Sequence, residues 1–226
     1  MAWWDYGYQL AGMSNRTVII DNNTWNNTHI ATVGMAFASP EAEAWNVARR
    51  LDATHVLVVS SALHHYSGDD ITKFLWMARI GGSVYPWIKE RDYKNDRGSY
   101  QICENAASRT MLDSLLYRLT YYRHDEVRDG DNPFGYDAAR RCVIGLKGYS
   151  LEHFEEAYTS KDWVIRIFSV LPPKNRVPKM KHVSRIKFQA NDEDAEGTED
   201  DDDEIIVSEE DTQYDQQQEG INELLI

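Results

Sequence analysis

Apolar positions along this chain fall into short runs and helical stripes, separated by polar, Gly- and Pro-bearing breaks. The first run, Thr17 to Asp21, is short and β-branched and reads as a buried strand. Asn22 to Thr28 is too rich in Asn for a regular element and reads as a loop. Ser39-Pro40-Glu41-Ala42-Glu43 starts a helix, with Ser39 as the cap, Pro40 in first position and acids in the first turn. That helix should run to Leu51 and bury Ala44, Val47, Ala48 and Leu51. His55 to Ser60 is a continuous apolar strand of the kind covered on both faces. Strand, helix and strand make a βαβ unit, with loops at the strand ends where sites are commonly found.

Ser67-Gly68-Asp69-Asp70 caps a second helix, which continues to about Ile80 and ends at Gly81-Gly82. Residues 83–104 are mixed, broken by Pro86 and Gly98. Ala106 to Tyr122 has Met111, Leu115, Leu116 and Leu119 on one stripe and predicts a third helix. A Gly/Asp/Pro loop follows over Asp125 to Asp137, then a short helix from Leu151 to Tyr158 and an alternating strand from Trp163 to Leu171. The fold class is therefore α/β: a mixed domain with a small central sheet and packed helices. The expected boundaries are a domain over 1–172, a linker over 173–190 and an acidic disordered tail over 191–226.

Charge sharpens that division. The formal net charge is −13, from 24 Lys and Arg and 37 Asp and Glu. No basic residue follows Lys187, and 188–226 holds 16 of the acids, so 1–187 keeps 21 acids against 24 bases, a net of +3. A nearly neutral body argues against a nucleic-acid partner, and a polar, acidic, Gln-rich end reads as disordered. No run approaches the ~18–20 apolar residues of a membrane helix, and no secretory leader precedes the first motif, so the chain reads as a soluble domain. Cys103 and Cys142 form no C-x-x-C pair, which leaves zinc and redox motifs unsupported.

Candidate chemistry begins at Trp3-Trp4-Asp5-Tyr6-Gly7-Tyr8-Gln9. In an extended segment the two Trp would point to opposite sides, and a carboxylate beside them suits no apolar core. A tight turn fits better, Gly7 permitting either a close backbone approach or a positive φ. Indole N–H donors and the Asp5 carboxylate would then converge on a small site. The alternative is an aromatic plug at a strand end. A second constellation is Asp70, Lys73 and Met77, which share one helix face within a ~60° arc; a surface ion pair is the plain alternative there.

Both motifs resemble one family. Trp3-Trp4-Asp5-Tyr6-Gly7 is similar to the signature of the catalytic subunit of eukaryotic oligosaccharyltransferase. Asp70-Ile71-Thr72-Lys73-Phe74-Leu75-Trp76-Met77 is similar to its D-x-x-K-x-x-x-M element, and Asp21 to His29 resembles a sequon-bearing segment. The resemblance extends to about residue 170. It implies a C-terminal lumenal domain of an endoplasmic-reticulum membrane enzyme, truncated here ahead of residue 1. That enzyme transfers a dolichol-linked oligosaccharide to Asn in the Asn-x-Ser/Thr sequon of an acceptor polypeptide, alongside other oligosaccharyltransferase subunits. Its Mn2+ or Mg2+ and its activating carboxylates lie in the membrane part, so no catalytic or metal-binding residue is expected in this chain, and the isolated chain should be inactive. The resemblance assigns substrate binding to Trp3, Trp4, Asp5, Tyr6, Gly7, Asp70, Lys73 and Met77. Trp3, Trp4 and Asp5 would read the +2 hydroxyl, and Met77 the extra methyl of Thr. Asn26 matches a glycan-bearing position, with Asn22 and then Asn15 as further sequons. The implied oxidising lumen would let Cys103 and Cys142 form one disulfide, although sequence does not supply their separation. One departure stands out: the family's Gly-rich apolar run is replaced by Ser60-Ser61-Ala62-Leu63-His64-His65.

Other readings weigh less. His64-His65 beside Asp69 and Asp70 lacks metal-ligand spacing. A nucleotide-sugar enzyme would need a Gly-rich phosphate turn after a strand, and His55–Ser60 has none. A non-catalytic peptide- or glycan-binding α/β module remains the competing class.

Overall fold

The computed structural model describes residues 1–174. The expected linker beyond Lys174 and the acidic tail over 191–226 lie outside the described residues. A 3₁₀ turn, Trp4–Tyr6, leads directly into helix α1 (Gly7–Ser14). Then come α2 (Asn27–Ala38), α3 (Glu41–Arg50), strand β1 (His55–Val59), α4 (Asp70–Val84), α5 (Arg109–Asp113) and α6 (Leu115–Tyr121). The last described elements are β2 (Tyr136–Asp137), β3 (Cys142–Val143), β4 (Phe154–Thr159) and β5 (Ile165–Val170).

The mixed α/β class holds, but the sheet is built differently from a βαβ unit. The order is β1-β5-β4, with both pairings antiparallel, and a separate two-stranded ribbon pairs β2 with β3. Thr17–Asp21 is irregular backbone, so the first strand of the expected unit does not exist. Leu151–Tyr158 is not a helix either: its second half is β4, whose partner is the strand that follows it. Arg166 on β5 explains how that sheet is tied to the helices. Its buried guanidinium donates to the carbonyls of Leu119 at 3.1 Å, Thr120 at 3.0 Å and Tyr122 at 2.8 Å, and to Glu156 on β4 at 2.9 Å. Carbonyls at a helix end have no intrahelical partner, and this cation supplies one.

The core has α2 at its centre. Every residue from Ile30 to Ala38 is buried, so this helix shows no polar stripe and no amphipathic signal. It crosses α4 at backbone contact: a Cβ on Gly34 would sit 2.6 Å from the Met77 carbonyl oxygen, and one on Gly81 2.9 Å from the Met35 nitrogen. Gly81 and Gly82 therefore do not end α4, which runs through them to Val84. The expected third helix is broken into α5 and α6 at Ser114, whose backbone is extended and whose side chain caps α6 by accepting from the Tyr117 N–H. Its apolar stripe survives the break, since Met111, Leu115, Leu116 and Leu119 are all fully buried. In α3, Ala44 and Ala48 are buried while Val47 and Leu51 are only partly covered, and the cap position falls on Pro40. Cys103 and Cys142 form a disulfide with their Cα atoms 5.7 Å apart, fastening the 94–108 segment to β3.

Candidate functional site

Two pieces of sequence 65 residues apart meet at the end of β1. Met1 lies alongside that strand, its amine donating to the His55 carbonyl at 2.6 Å and its own carbonyl accepting from Leu57 N–H at 2.9 Å. This anchor places the following Trp-Trp-Asp turn beyond the end of the strand, where α4 begins. The turn is the 3₁₀ segment, closed by Tyr6 N–H to the Trp3 carbonyl at 3.3 Å. Gly7 has an ordinary helical φ of −56°, so positive φ is not why it is glycine. Close approach is: an added Cβ would lie 2.4 Å from Cα of Asp21.

Trp3 is 2% exposed and packs in the core, while Trp4, Asp5 and Tyr6 are partly exposed. Trp3 is thus also the aromatic plug of the plainer reading. The N-terminal residue of α4, Asp70, is fully buried, and it accepts from the Tyr6 hydroxyl at 2.8 Å and from Val59 N–H at 2.8 Å. Lys73, one turn on, pairs with Asp5 and also donates to the Tyr6 hydroxyl at 3.2 Å. Its ammonium lies 4.9 Å from the Tyr6 ring centroid. The surface pair imagined between Asp70 and Lys73 does not form; Lys73 reaches across to the other motif instead. Seven of the eight expected substrate-binding residues therefore form one contiguous arrangement. Met77 shares their helix face but has no exposed surface, so a substrate methyl reaches it only if the side chains covering it move.

The electrostatics follow from burial. Desolvation pushes the Asp70 carboxyl up to about 7, against the pull of its Val59 and Tyr6 donors and of Lys73. The Tyr6 hydroxyl is pushed up by burial and by Asp70, which keeps it protonated and donating. The adjacent Asp69 goes the other way. It caps α4 through Thr72 N–H at 3.1 Å, accepts from Ser61 N–H at 3.0 Å, and is gripped by both arms of Arg140, one at 2.7 Å. Arg140 holds its carboxyl below the usual range despite burial. Arg140 also reaches Asp137 at 3.3 Å, which accepts as well from the Arg140 backbone N–H at 2.8 Å and from the Tyr121 hydroxyl at 2.7 Å. Neither Arg140 nor Asp137 was visible as a partner of this helix in the sequence.

No group of three or more His, Cys, Asp or Glu among the described residues could hold a metal ion. The His64 Nε2 lies 3.0 Å from the Asp162 carbonyl, and the oxygens of Asp69 and Asp70 are taken up by the donors above. The residues present do not fit a divalent cation. No helix among the described residues is long and apolar enough to cross a membrane.

The three sequons differ in what their amides do. Asn26 is exposed and caps α2 through its side-chain carbonyl oxygen, which accepts from His29 N–H at 3.0 Å. Asn22 is half-buried, with Nδ2 donating to the Asp5 carbonyl at 3.0 Å. Asn15 is exposed, in left-handed backbone at the end of α1. A cavity of about 230 Å³ lies beside the sequon segment, lined by Ile20, Asp21, Trp25, Asn26 and Ile30, rather than at the Asp5–Lys73 pair.

Comparison with known proteins places this geometry. Residues 1–75 match the STT3/PglB/AglB core domain. The chain is 54% identical over 178 residues to the dolichyl-diphosphooligosaccharide–protein glycosyltransferase subunit STT3B of Arabidopsis thaliana, covering 78% of this chain and 24% of that protein. It is 54% identical over 177 residues to subunit STT3 of Dictyostelium discoideum, with the same coverage. A looser likeness, with TM-score 0.43 and 17% identity over 75% of this chain and 83% of the other, is to the C-terminal globular domain of oligosaccharyltransferase from Archaeoglobus fulgidus. The chain spans about a quarter of the length of the relatives it matches. The two motifs are joined in space, residues 1–75 match the STT3/PglB/AglB core domain, and more than three-quarters of the chain is similar to a quarter of these STT3 subunits.

Proposed function

We propose that this chain is the acceptor-recognising lumenal domain of an oligosaccharyltransferase catalytic subunit. In that reading the whole protein transfers a lipid-linked oligosaccharide to Asn in Asn-x-Ser/Thr, and this domain reads the hydroxyl two residues after the Asn. The observation that carries it is the joining of the Trp3–Gly7 turn to the Asp70 helix through Asp5–Lys73 and Tyr6–Asp70. The Asp5 carboxylate and the Lys73 cation are each about a quarter exposed, and the half-buried Trp4 is the residue before Asp5, which supports that reading.

A hydroxyl both donates and accepts. Asp5 would accept from it and an indole N–H would donate to it, with Lys73 holding the Asp5 carboxylate in place in the absence of peptide. A site whose polar groups need that hydroxyl rejects a residue lacking it, because the groups are otherwise left unpaired. Thr preference through Met77 depends on movement of the side chains above it, and one buried methyl is worth about 0.8 kcal/mol. A divalent cation, Mn2+ or Mg2+, and the donor-lipid site belong to the part of the protein outside this chain. The endoplasmic-reticulum membrane, with this domain on the lumenal side and other subunits around it, is the setting that fits.

The test is kcat/KM for matched Asn-x-Thr, Asn-x-Ser and Asn-x-Ala peptides with full-length protein. Asp5→Asn keeps the shape but exchanges an acceptor for a donor, and should lower the Ser and Thr values alike by roughly 10- to 100-fold. An unchanged Ser/Thr-over-Ala ratio in that variant would remove the reading. The competing class, a peptide- or glycan-binding module with no part in transfer, predicts wild-type turnover for every rim variant.

A further inference from the structure

We infer that Asn22 is a positioning residue for the turn that presents Asp5, an inference resting on the reading of the turn proposed above. Its side-chain amide bridges two sides of that turn: Nδ2 donates to the Asp5 carbonyl at 3.0 Å, and Oδ1 accepts from Tyr8 N–H at 3.2 Å. The second bond meets a specific need. α1 starts at Gly7 with Tyr6 at its cap position, and Tyr6 supplies no capping side chain. The first N–H groups of a helix have no partner inside it. Asn22, fourteen residues downstream, caps one of them from outside.

The rest of the 21–23 segment is shaped to bring that amide in. Asp21 lies so close to Gly7 that a Cβ there would stand 2.4 Å from its Cα, and the Tyr8 hydroxyl bonds Asn23. The Asp21 carboxylate accepts from Asn23 N–H at 2.9 Å, and its carbonyl from Thr24 N–H at 3.2 Å, which folds the segment into a tight turn of its own. One planar group must donate in one direction and accept in another, and among side chains of this length only an Asn amide does both. A carboxylate at position 22 would face the Asp5 carbonyl with an acceptor.

Asn22 also stands in an Asn-x-Thr sequon, Asn22-Asn23-Thr24. Nδ2 is the atom a glycan would occupy, and a glycan there would replace one of its two hydrogens, leaving one N–H for the Asp5 carbonyl.

The test compares Asn22→Asp, Thr24→Ala and Asp5→Asn in the full-length protein, reading kcat and the separate KM values for an Asn-x-Thr peptide and for the lipid-linked donor. Asn22→Asp should raise the peptide KM roughly tenfold, with kcat within about twofold and the donor KM unchanged. A misfolded fraction would instead lower the maximal rate and leave both KM values alone. Thr24→Ala abolishes the same sequon but spares the amide, and should keep the wild-type peptide KM. A wild-type peptide KM in Asn22→Asp, beside a raised one in Asp5→Asn, overturns this inference and leaves the reading of the turn standing. A raised KM in Thr24→Ala overturns it too, by assigning the effect to the sequon. A wild-type peptide KM in Asp5→Asn overturns the reading of the turn, and this inference with it. If Asn22→Asp gives no active enzyme, Asn22→Ala, which deletes both bonds without opposing two acceptors, is read by the same criteria.

Discussion

Asp69 and Asp70 are neighbours at the start of one helix, both buried, and they live in opposite electrostatic worlds. Asp69 faces a cation: Arg140 grips both its oxygens, and its carboxyl is held below the ordinary range. Asp70 faces neutral donors, the Tyr6 hydroxyl and a backbone N–H, and burial pushes it up to about 7. The position at the helix N-terminus is shared, so it cannot be the cause. What differs is the direction each side chain takes and what the rest of the fold brings to meet it. Asp69 looks toward the β2–β3 ribbon and fastens the domain; Asp70 looks toward the Trp-Trp-Asp turn and joins it to the helix.

The largest effect should come from breaking the first of these. Arg140→Ala leaves Asp69 and Asp137 buried with no cation, and breaking a buried pair in this way costs about 3–5 kcal/mol. Denaturant unfolding of the domain measures it. A loss under about 1 kcal/mol would mean that Arg140 merely decorates two carboxylates satisfied by Thr72, Ser61 and Tyr121.

The second world is sharpened by pH. An ordinary Asp carboxyl titrates near 4, and Asp70 holds its proton up to about 7 in the folded chain. The folded state therefore binds this proton more tightly than the unfolded state. Stability from Asp70 is complete below about pH 4 and is lost as pH rises through about 7. Asp69 has the reverse sign, its contribution being lost as pH falls through its lowered value. Asp70→Asn removes one titration and keeps the acceptor for Tyr6 and Val59. The difference between wild-type and variant stability curves should fall across pH 4–7 by up to about 4 kcal/mol. Parallel curves would show that Asp70 stays ionised throughout.

Sequence made one of these worlds legible and hid the other. The Trp3–Gly7 and Asp70–Met77 signatures are local, and their joining at the end of β1 could be expected from resemblance alone. Arg140 is 71 residues from Asp69, past the Gly/Asp/Pro loop of 125–137 in a stretch that predicts no element, so nothing nearby marked it. The fold shows the same limit. α2 carried no periodicity because it is buried all round, although its cap, Asn26 accepting from His29, was there to be read. Gly81 looked like a helix end because glycine usually is, and only the backbone of α2 explains why it is tolerated inside α4. Residues 151–158 read as helix, until β5, which follows them, claimed 154 onward as a strand. In each miss the deciding contact is long-range.

The smallest expected effect concerns Asp5–Lys73, the pair at the proposed site. Its side chains are about a quarter exposed, at 23% and 28%, against 1% for Asp69 in the pair with Arg140. Exposed pairs contribute under about 1 kcal/mol and weaken with salt. That weakness suits the proposed role. A carboxylate that must turn from Lys73 to a peptide hydroxyl should be released at little cost, whereas one locked as Asp69 is would be useless to a substrate. A double-mutant cycle of Asp5→Asn and Lys73→Met, read by denaturant unfolding at low and high salt, should give a coupling below about 1 kcal/mol that shrinks as salt is added. In the proposed role, the full-length protein with the same variants should still lose far more in kcat/KM than in stability, because Asp5 would contribute when peptide is bound. A coupling above about 2 kcal/mol, insensitive to salt, would make Asp5–Lys73 a structural clasp like Asp69–Arg140. The distinction between the two faces of this helix would then be gone.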